Sequence, residues 1–304
     1  MRYHLGLPTE RVASGAEFVS ADAIAEVARA AERAGFASVF VTEHPFPEDE
    51  WMRTGGHHAL DPFVALSFAA GATSTIGLLT YLCVVPYRNP FVTAKVALSL
   101  DVLSNGRLLL GVGAGYLEAE FRALGVDFGE RNELLDEGIE AMRRAWTEDG
   151  VTMRGRHFDV QGHTMLPRPT VAGGPPIWVG GNARRAIERA ARLGDGWLPM
   201  INPRSLGARR RSAHLETVDE LRARIAYLDE CRASAGRAGP FEILMQPMVP
   251  AVPGADGYDA ARFADHVAEL ASVGVTGMSI FMAGDSRAAV IDAARAFGDT
   301  FIDS

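Results

Sequence analysis

A turn of small residues between a short apolar strand and a helix is the clearest candidate binding site in this 304-residue chain. Gly180, Gly181 and Asn182 tolerate positive φ and end the strand, and a helix is predicted over about residues 183–193. The first turn of a helix presents backbone N–H groups without intrahelical partners, and the two glycines let an anion approach them closely. The pattern predicts a cradle for a phosphate group, although a plain strand-to-helix connection has the same pattern.

Two arginines, Arg184 and Arg185, stand in the first turn of this predicted helix. A guanidinium group can pair with a phosphate, so Arg184 is expected to bind the same anion. The alternative is that both side chains lie on the solvated face of the helix, which is usual for arginine.

An acid and a histidine, Glu43 and His44, follow a predicted strand over residues 38–42. Imidazole titrates near neutral pH, so His44 can give or take a proton, or hydrogen-bond a heteroatom of a cofactor ring. The neighbouring Glu43 is expected to orient the imidazole. The competing interpretation is a loop histidine that only ends the strand.

A third motif, Gly111-x-Gly113-x-Gly115, follows another predicted strand. Its third glycine comes one residue too early for a dinucleotide-binding turn, and the strand-helix-strand context is missing. We expect instead that a flat ligand lies against side-chain-free backbone near Gly113. The adjacent His57 and His58 have diverging side chains and no acid or cysteine at ligand spacing, so no metal site is predicted.

The composition argues against several classes of protein. With a net charge of −8, the chain is not expected to bind nucleic acid. Its two cysteines, Cys83 and Cys231, form no CxxC or metal spacing, which suits a reducing compartment. The N-terminus has no apolar signal core, and no apolar run approaches the roughly 20 residues of a membrane span. A cytoplasmic protein without membrane contact is expected.

Eight strand-then-helix units follow one another along the chain, and their strands are too apolar to leave one face in water. The strands are predicted near residues 1–7, 38–42, 76–85, 107–112, 177–179, 197–200, 242–249 and 276–282. The pattern predicts a single-domain (β/α)8 TIM barrel over residues 1–304, in preference to a doubly wound open sheet. Residues 151–174 break the rhythm and are expected to form a small insertion between strands four and five. In such a barrel the chemistry lies at the carboxyl ends of the strands, where the motifs above fall.

Three runs of sequence resemble the bacterial luciferase-like superfamily of (β/α)8 flavin enzymes, and more narrowly its branch that depends on the deazaflavin coenzyme F420. They are TEHPFP after the second strand, PYRNPFVTAKVALSLDVLSNGRLLLGVGAGYLEAEFRALGV through the fourth and PPIWVGGNARRAIERAARLGDGW through the fifth. The resemblance covers nearly the full length. It implies a dehydrogenase or reductase that transfers a hydride between the deazaflavin and a small organic substrate.

The resemblance also implies roles for individual residues. His44 would lie near the deazaflavin ring and assist the transfer, with Glu43 in the place where the branch often has Asp. Thr80, Tyr81 and Leu82 match a bulge of the third strand that backs the ring, and a non-proline cis peptide bond is expected next to Tyr81.

The phosphate of the cofactor, by the same resemblance, is held by the backbone amides of Gly180, Gly181 and Asn182, in agreement with the predicted cradle. Five further signature residues are interpreted as packing and turn chemistry: Asp101, Ser104, Gly106, Arg107 and Glu120. Tyr116 stands where branch members that oxidise glucose 6-phosphate carry a catalytic Glu, so that sugar is not expected as the substrate.

Two alternatives stay open at the level of the sequence. One is an FMN-dependent two-component monooxygenase on the same barrel, and the other is a non-catalytic flavin-binding barrel. Trp51, His57, His58 and residues 151–174 are expected to form the lid and the specificity surface. A homodimer is expected by analogy with other barrels of this kind.

Overall fold

Ten strands are present in the computed structural model, which describes residues 1–206 and 212–302. In chain order they are β1 (Arg2–Gly6), β2 (Ser38–Val41), β3 (Gly77–Val84), β4 (Leu108–Gly113), β5 (Val151–Arg154), β6 (Asp159–His163), β7 (Ile177–Gly180), β8 (Gly196–Leu198), β9 (Glu242–Met245) and β10 (Gly277–Ile280). Eight of them close into one parallel barrel in the order β1-β10-β9-β8-β7-β4-β3-β2. The predicted (β/α)8 barrel is confirmed, and the open-sheet alternative is wrong because this closed sheet has no edge strand.

Helices join the consecutive barrel strands and cover the outside of the barrel. They are α1 (Ala21–Arg33), α2 (Asp49–Arg53), α3 (Pro62–Ala72), α4 (Pro90–Leu103), α5 (Glu118–Ala123), α6 (Arg131–Thr147), α7 (Arg184–Leu193), α8 (Val218–Ser234), α9 (Ala260–Ser272) and α10 (Arg287–Phe301). The short α2 was not predicted, because five residues are too few to show a helical hydrophobic period. Within the described ranges, none of the helices has the length and apolar character needed to cross a bilayer.

Side chains at the N-termini explain where most of the longer helices begin. In six helices the residue before the first turn accepts a hydrogen bond from a backbone N–H of that turn: Ser20, Asp61, Asn89, Thr217, Asp259 and Ser286. Such a cap contributes about 1 kcal/mol. Helix α7 differs, because Ala183 occupies its cap position and offers no side-chain acceptor or hydrogen bond. The first N–H groups of α7 are therefore left for solvent or a ligand.

Apolar side chains fill two layers. The outer layer lies between the strands and the helices and contains large buried side chains such as Trp146 and Trp197. The inner layer fills the barrel itself and consists of Phe40, Leu79, Trp178, Leu198 and Leu244. Because the barrel interior is packed, a ligand has room at the strand ends and not within the barrel.

The insertion between the fourth and fifth barrel strands forms an antiparallel hairpin of β5 and β6 outside the barrel. An extended segment then returns to β7 and contains a cis bond between Leu166 and Pro167. The backbone N–H of Thr170 donates to the buried carboxylate of Asp101 at 2.9 Å, which ties this segment to α4. The hairpin follows α6, and the barrel helices run antiparallel to the strands, so it starts at the amino end of the barrel.

Candidate active site

A cavity of about 430 Å³ opens at the carboxyl ends of the barrel strands. Its size suits a small-molecule ligand. It brings together most of the predicted site residues: Glu43, His44, Tyr81, Leu82, Gly113, Gly180, Gly181 and Asn182. Thr80 and Arg184 do not line it. Among the described residues, no cluster of three or more His, Cys, Asp or Glu is suited to a metal ion.

A buried carboxylate on α5 holds His44. Oε2 of Glu120 lies 3.2 Å from Nδ1 of His44 and accepts a hydrogen bond from the hydroxyl of Tyr87 at 3.0 Å. Oε1 of Glu120 accepts from the backbone N–H of Phe46 at 3.2 Å. Burial and the neighbouring Glu120 raise the pKa of Tyr87, so the phenol stays a donor. Because the carboxylate can only accept, Nδ1 of His44 carries a proton and Nε2 is the nitrogen that can exchange a proton with a ligand.

Glu43 has a different partner from the one predicted. Its carboxylate pairs with Arg88 and accepts a hydrogen bond from the backbone N–H of Val84 at 2.6 Å. Burial raises the pKa of Glu43, and the guanidinium of Arg88 opposes that rise. The prediction that Glu43 orients His44 is wrong, because the Glu43 carboxylate contacts Arg88 and Val84 and a different carboxylate contacts His44. The orienting carboxylate is Glu120, which the sequence suggested to be a packing residue.

Three aromatic rings surround His44. The ring centroids of Trp51, His57 and Tyr116 lie 4.4, 4.8 and 6.1 Å from that of His44. Nε2 of His57 lies 3.1 Å from the hydroxyl oxygen of Thr42, which fixes this ring to the end of β2. The side chain of His44 is only 9% exposed, so these rings shield it from bulk water.

The residues predicted for the lid and the specificity surface lie in different parts of the structure. His57 lines the cavity and Trp51 packs on His44, whereas His58 is exposed. Residues 151–174 contribute nothing to the cavity lining that the described residues form. That part of the prediction is wrong because the hairpin starts at the opposite end of the barrel from the cavity.

Two residues of β3 form one wall of the cavity. The peptide bond between Tyr81 and Leu82 is cis, which confirms the expectation for a bond next to Tyr81. The register between β3 and β4 shifts between Thr80 and Cys83, as in a bulge. The hydroxyl of Thr80 donates to the carbonyl of Gly111 at 2.7 Å, so Thr80 supports the bulge from within the sheet. Burial raises the pKa of Tyr81 to about 12, and this phenol keeps its proton near neutral pH.

The side chain of Leu82 packs closely against two of the glycines that line the cavity. A Cβ atom at Gly113 would lie 2.5 Å from Cδ1 of Leu82, and one at Gly180 would lie 2.3 Å from Cδ2. A side chain at either position would therefore have to displace the end of the Leu82 side chain. The bare backbone that the sequence suggested for a ligand is thus covered in part by Leu82.

At the start of α7, some of the groups predicted to bind a phosphate are hydrogen-bonded within the protein. Gly181 has φ of +120°, which requires glycine, and its N–H donates to the carbonyl of Leu198 at 3.2 Å. The side chain of Asn182 donates to the carbonyl of Met200 at 2.6 Å and accepts from its N–H at 2.9 Å. These two residues therefore join the loops after β7 and β8. The first N–H groups of α7, beside Ala183 in the cavity lining, are donors that an anion can use.

Sequence reasoning missed Arg189, an arginine of α7 that lines the cavity. Its side chain is 2% exposed and pairs with Asp136. Arg184 instead places its guanidinium carbon 4.1 Å from the ring centroid of Tyr227, away from the cavity. A signal for Arg189 was present, because it lies three residues after Ala186 and therefore on the same helix face, which starts at the cradle.

The fold and the site define a luciferase-like barrel enzyme. The chain belongs to the luciferase-like monooxygenase family, because the sequence model of that family matches residues 1–301. An F420-dependent hydroxymycolic acid dehydrogenase of Mycobacterium tuberculosis is 31% identical over 180 residues, which are 58% of this chain and 48% of that protein.

Two solved structures share the fold over the whole chain. The monooxygenase RslO1 from Streptomyces bottropensis has a TM-score of 0.79 and 23% identity, with 100% of this chain and 99% of that chain covered. An F420-dependent secondary alcohol dehydrogenase, solved in complex with an F420-acetone adduct, has a TM-score of 0.75 and 17% identity, with 99% and 98% covered.

Proposed function

We propose that this protein is an oxidoreductase that binds coenzyme F420 in the cavity and transfers a hydride between the deazaflavin and a small organic substrate. The observation that carries the proposal is the contact of 3.2 Å between His44 and Glu120, in a cavity that also receives the start of α7. A proton-exchanging group and an anion-binding helix end are what such a transfer needs. Two of the related proteins depend on F420.

The residues of the cavity fit a cofactor of this class. The uncapped first turn of α7 can bind an anionic group, and the buried guanidinium of Arg189, paired with Asp136, lies in the same wall. Phe40, Tyr81 and Leu82 offer an apolar surface for a planar ring. Both features open into one cavity, so one molecule can occupy them together.

When bound, F420 supplies a ring carbon that accepts or gives a hydride, which protein side chains cannot do. The chain's own residues position the reactants and handle the proton. Nε2 of His44 takes the proton from a substrate hydroxyl as hydride leaves the adjacent carbon, and returns it to a carbonyl oxygen in the reverse direction. Glu120 orients the imidazole and stabilises its protonated form. Trp51 and His57 limit the access of water.

An FMN-dependent monooxygenase is the second candidate, favoured by the TM-score of 0.79 to a monooxygenase. Both cofactors would place a phosphate group at the start of α7. They differ in the ring, so a direct comparison of binding separates the two candidates.

The test is a titration of the purified protein with F420 and with FMN, followed by the change in fluorescence of each cofactor. We expect tighter binding of F420 and no oxygen uptake with reduced FMN. Tighter binding of FMN with oxygen uptake would favour the monooxygenase, and binding of neither would contradict both proposals.

A variant then tests the role of His44. His44→Gln should bind F420 almost as well as the wild-type protein, because the anion site lies on α7. Its single-turnover rate of F420 reduction by alcohols should fall by about 10²–10⁴-fold. An unchanged rate would remove His44 from the reaction.

A further inference from the structure

One arc of the cavity wall has no role in the proposed cofactor site. The order of strands places β9, β10 and β1 next to one another and directly across the barrel from β3, β4 and β7. The proposed cofactor contacts come from the second group and from Phe40 on the neighbouring β2. The loops after the first group contribute Leu7, Glu10, Gln246 and Phe281 to the same cavity. A ring held against one arc therefore turns its free face towards the other.

Phe281 supplies apolar surface on this arc. It is 40% exposed although it lies in the cavity wall, and its ring packs edge-on against Phe40 with centroids 5.1 Å apart. A Cβ atom at Gly6 would lie 2.6 Å from the Phe281 ring, so the glycine lets this ring lie against β1. The buried Leu7 continues the apolar surface. An apolar ligand can cover the exposed part of Phe281.

Two polar side chains on the arc keep hydrogen-bonding capacity for a ligand. Gln246 is half-buried, and its side-chain amide makes no hydrogen bond with another described residue. Glu10 lies 3.6 Å from Nε of Arg11, whose other nitrogens donate to the carbonyl oxygens of Met282 and Gly284. Burial raises the pKa of Glu10, with a hydrogen bond from its own backbone N–H and the charge of Arg11 opposing the rise. The carboxylate can therefore accept a further donor.

We propose that Glu10, Gln246 and Phe281 form a substrate-recognition subsite for a small, largely apolar molecule that carries a hydroxyl or amino group. The proposal rests on the proposed function, which makes the opposite arc the cofactor side. Glu10 accepts from the donor group of the substrate, Gln246 makes a second hydrogen bond, and Phe281 packs on the apolar body. The subsite disfavours carboxylates and phosphates, because an anion there would face the Glu10 carboxylate.

Three probes with one apolar body and different polar groups test this subsite: benzylamine, benzyl alcohol and benzoate. Their dissociation constants for the purified protein are measured by ligand-observed NMR, without cofactor and again with saturating F420. We expect benzylamine and benzyl alcohol to bind at least about 10-fold more tightly than benzoate. Two results would overturn the proposal. One is that benzoate binds as tightly as the other two probes, and the other is that no probe binds at a concentration of about 10 mM.

Variants identify the residues responsible. Glu10→Gln should reduce the preference for benzylamine over benzoate by at least about 10-fold, whereas Phe281→Ala should weaken all three probes by similar factors. Glu230→Gln removes the same charge from an exposed position on α8 and should change nothing. Circular dichroism confirms that each variant is folded. An unchanged preference in folded Glu10→Gln would overturn the proposal.

The two proposals fail in different measurements. Loss of F420 binding in the wild-type protein would contradict the proposed function, and it is read from cofactor fluorescence. The preference among the probes can be read without cofactor, and its dependence on Glu10 distinguishes the subsite from the start of α7.

Discussion

Replacing Glu120 by glutamine should reverse the tautomer of His44 while the fold is kept. Glu120→Gln preserves the shape of the side chain but exchanges one acceptor oxygen for an amide donor. In the wild-type protein the two oxygens receive hydrogen bonds from Phe46, Tyr87 and His44. When the amide donor faces the imidazole, Nδ1 of His44 becomes the acceptor and the proton moves to Nε2.

The expected loss of activity follows from the proton that His44 has to accept. With Nε2 already protonated, the imidazole cannot take a proton from the substrate at that nitrogen. General acid–base catalysis contributes about 10²–10⁴-fold, and kcat should fall within that range. The free energy of unfolding should fall by less than about 1.5–3 kcal/mol, which is the contribution of a hydrogen bond to a charged group. The amide has nearly the same volume as the carboxylate and recovers part of that contribution.

Long-range 1H–15N correlation spectra of the histidine rings measure the tautomer without any substrate. His44→Gln assigns the signals of His44 by their disappearance. Glu118→Gln is the matched control, since it removes a carboxylate that is 39% exposed from the same helix, and it should leave both the spectrum and kcat unchanged. Unchanged nitrogen shifts for His44 in Glu120→Gln, or equal losses of kcat in both glutamine variants, would refute the reasoning.

Three further predictions concern the cradle and the stability of the barrel. Gly181→Ala forces a side chain into φ of +120° and should cost roughly 1–3 kcal/mol and weaken F420 binding, as measured by thermal melting and titration; wild-type values for both would contradict this. Arg189→Met removes the buried partner of Asp136, which keeps Arg185 at 3.3 Å, and should cost about 1.5–3 kcal/mol in urea unfolding. Arg184→Ala should change the free energy of unfolding by less than about 0.5 kcal/mol, and equal losses in the two variants would contradict the assignment. Burial raises the pKa of Glu32, but hydrogen bonds from the backbone amides of residues 74–76 outweigh burial and lower the pKa to about 2. The ionised Glu32 therefore stabilises the fold fully above about pH 4.5, and this stabilisation is lost as the pH falls towards 2. The melting temperature of Glu32→Gln should therefore depend less on pH between these values than that of the wild-type protein. The same pH dependence in both proteins would contradict the argument.

Local patterns determined most of the architecture. Apolar runs bounded by glycine and proline marked the eight barrel strands, because strands covered on both sides have no polar face. Their carboxyl ends located the cavity residues, including His44 and Gly181, since all parallel strands of a barrel end on the same side. The three signature runs led to the family and to the cis bond beside Tyr81.

The sequence by itself therefore determined the barrel, the family and the end of the barrel at which the cavity lies. Only the tertiary structure decided that Glu120, 76 positions from His44, holds the imidazole, and that Leu82 approaches Gly113 and Gly180. Periodicity shows which face of a strand or helix is buried, but it does not show which side chain of a distant element meets that face. Such contacts depend on how the closed sheet brings the ends of separate strands together.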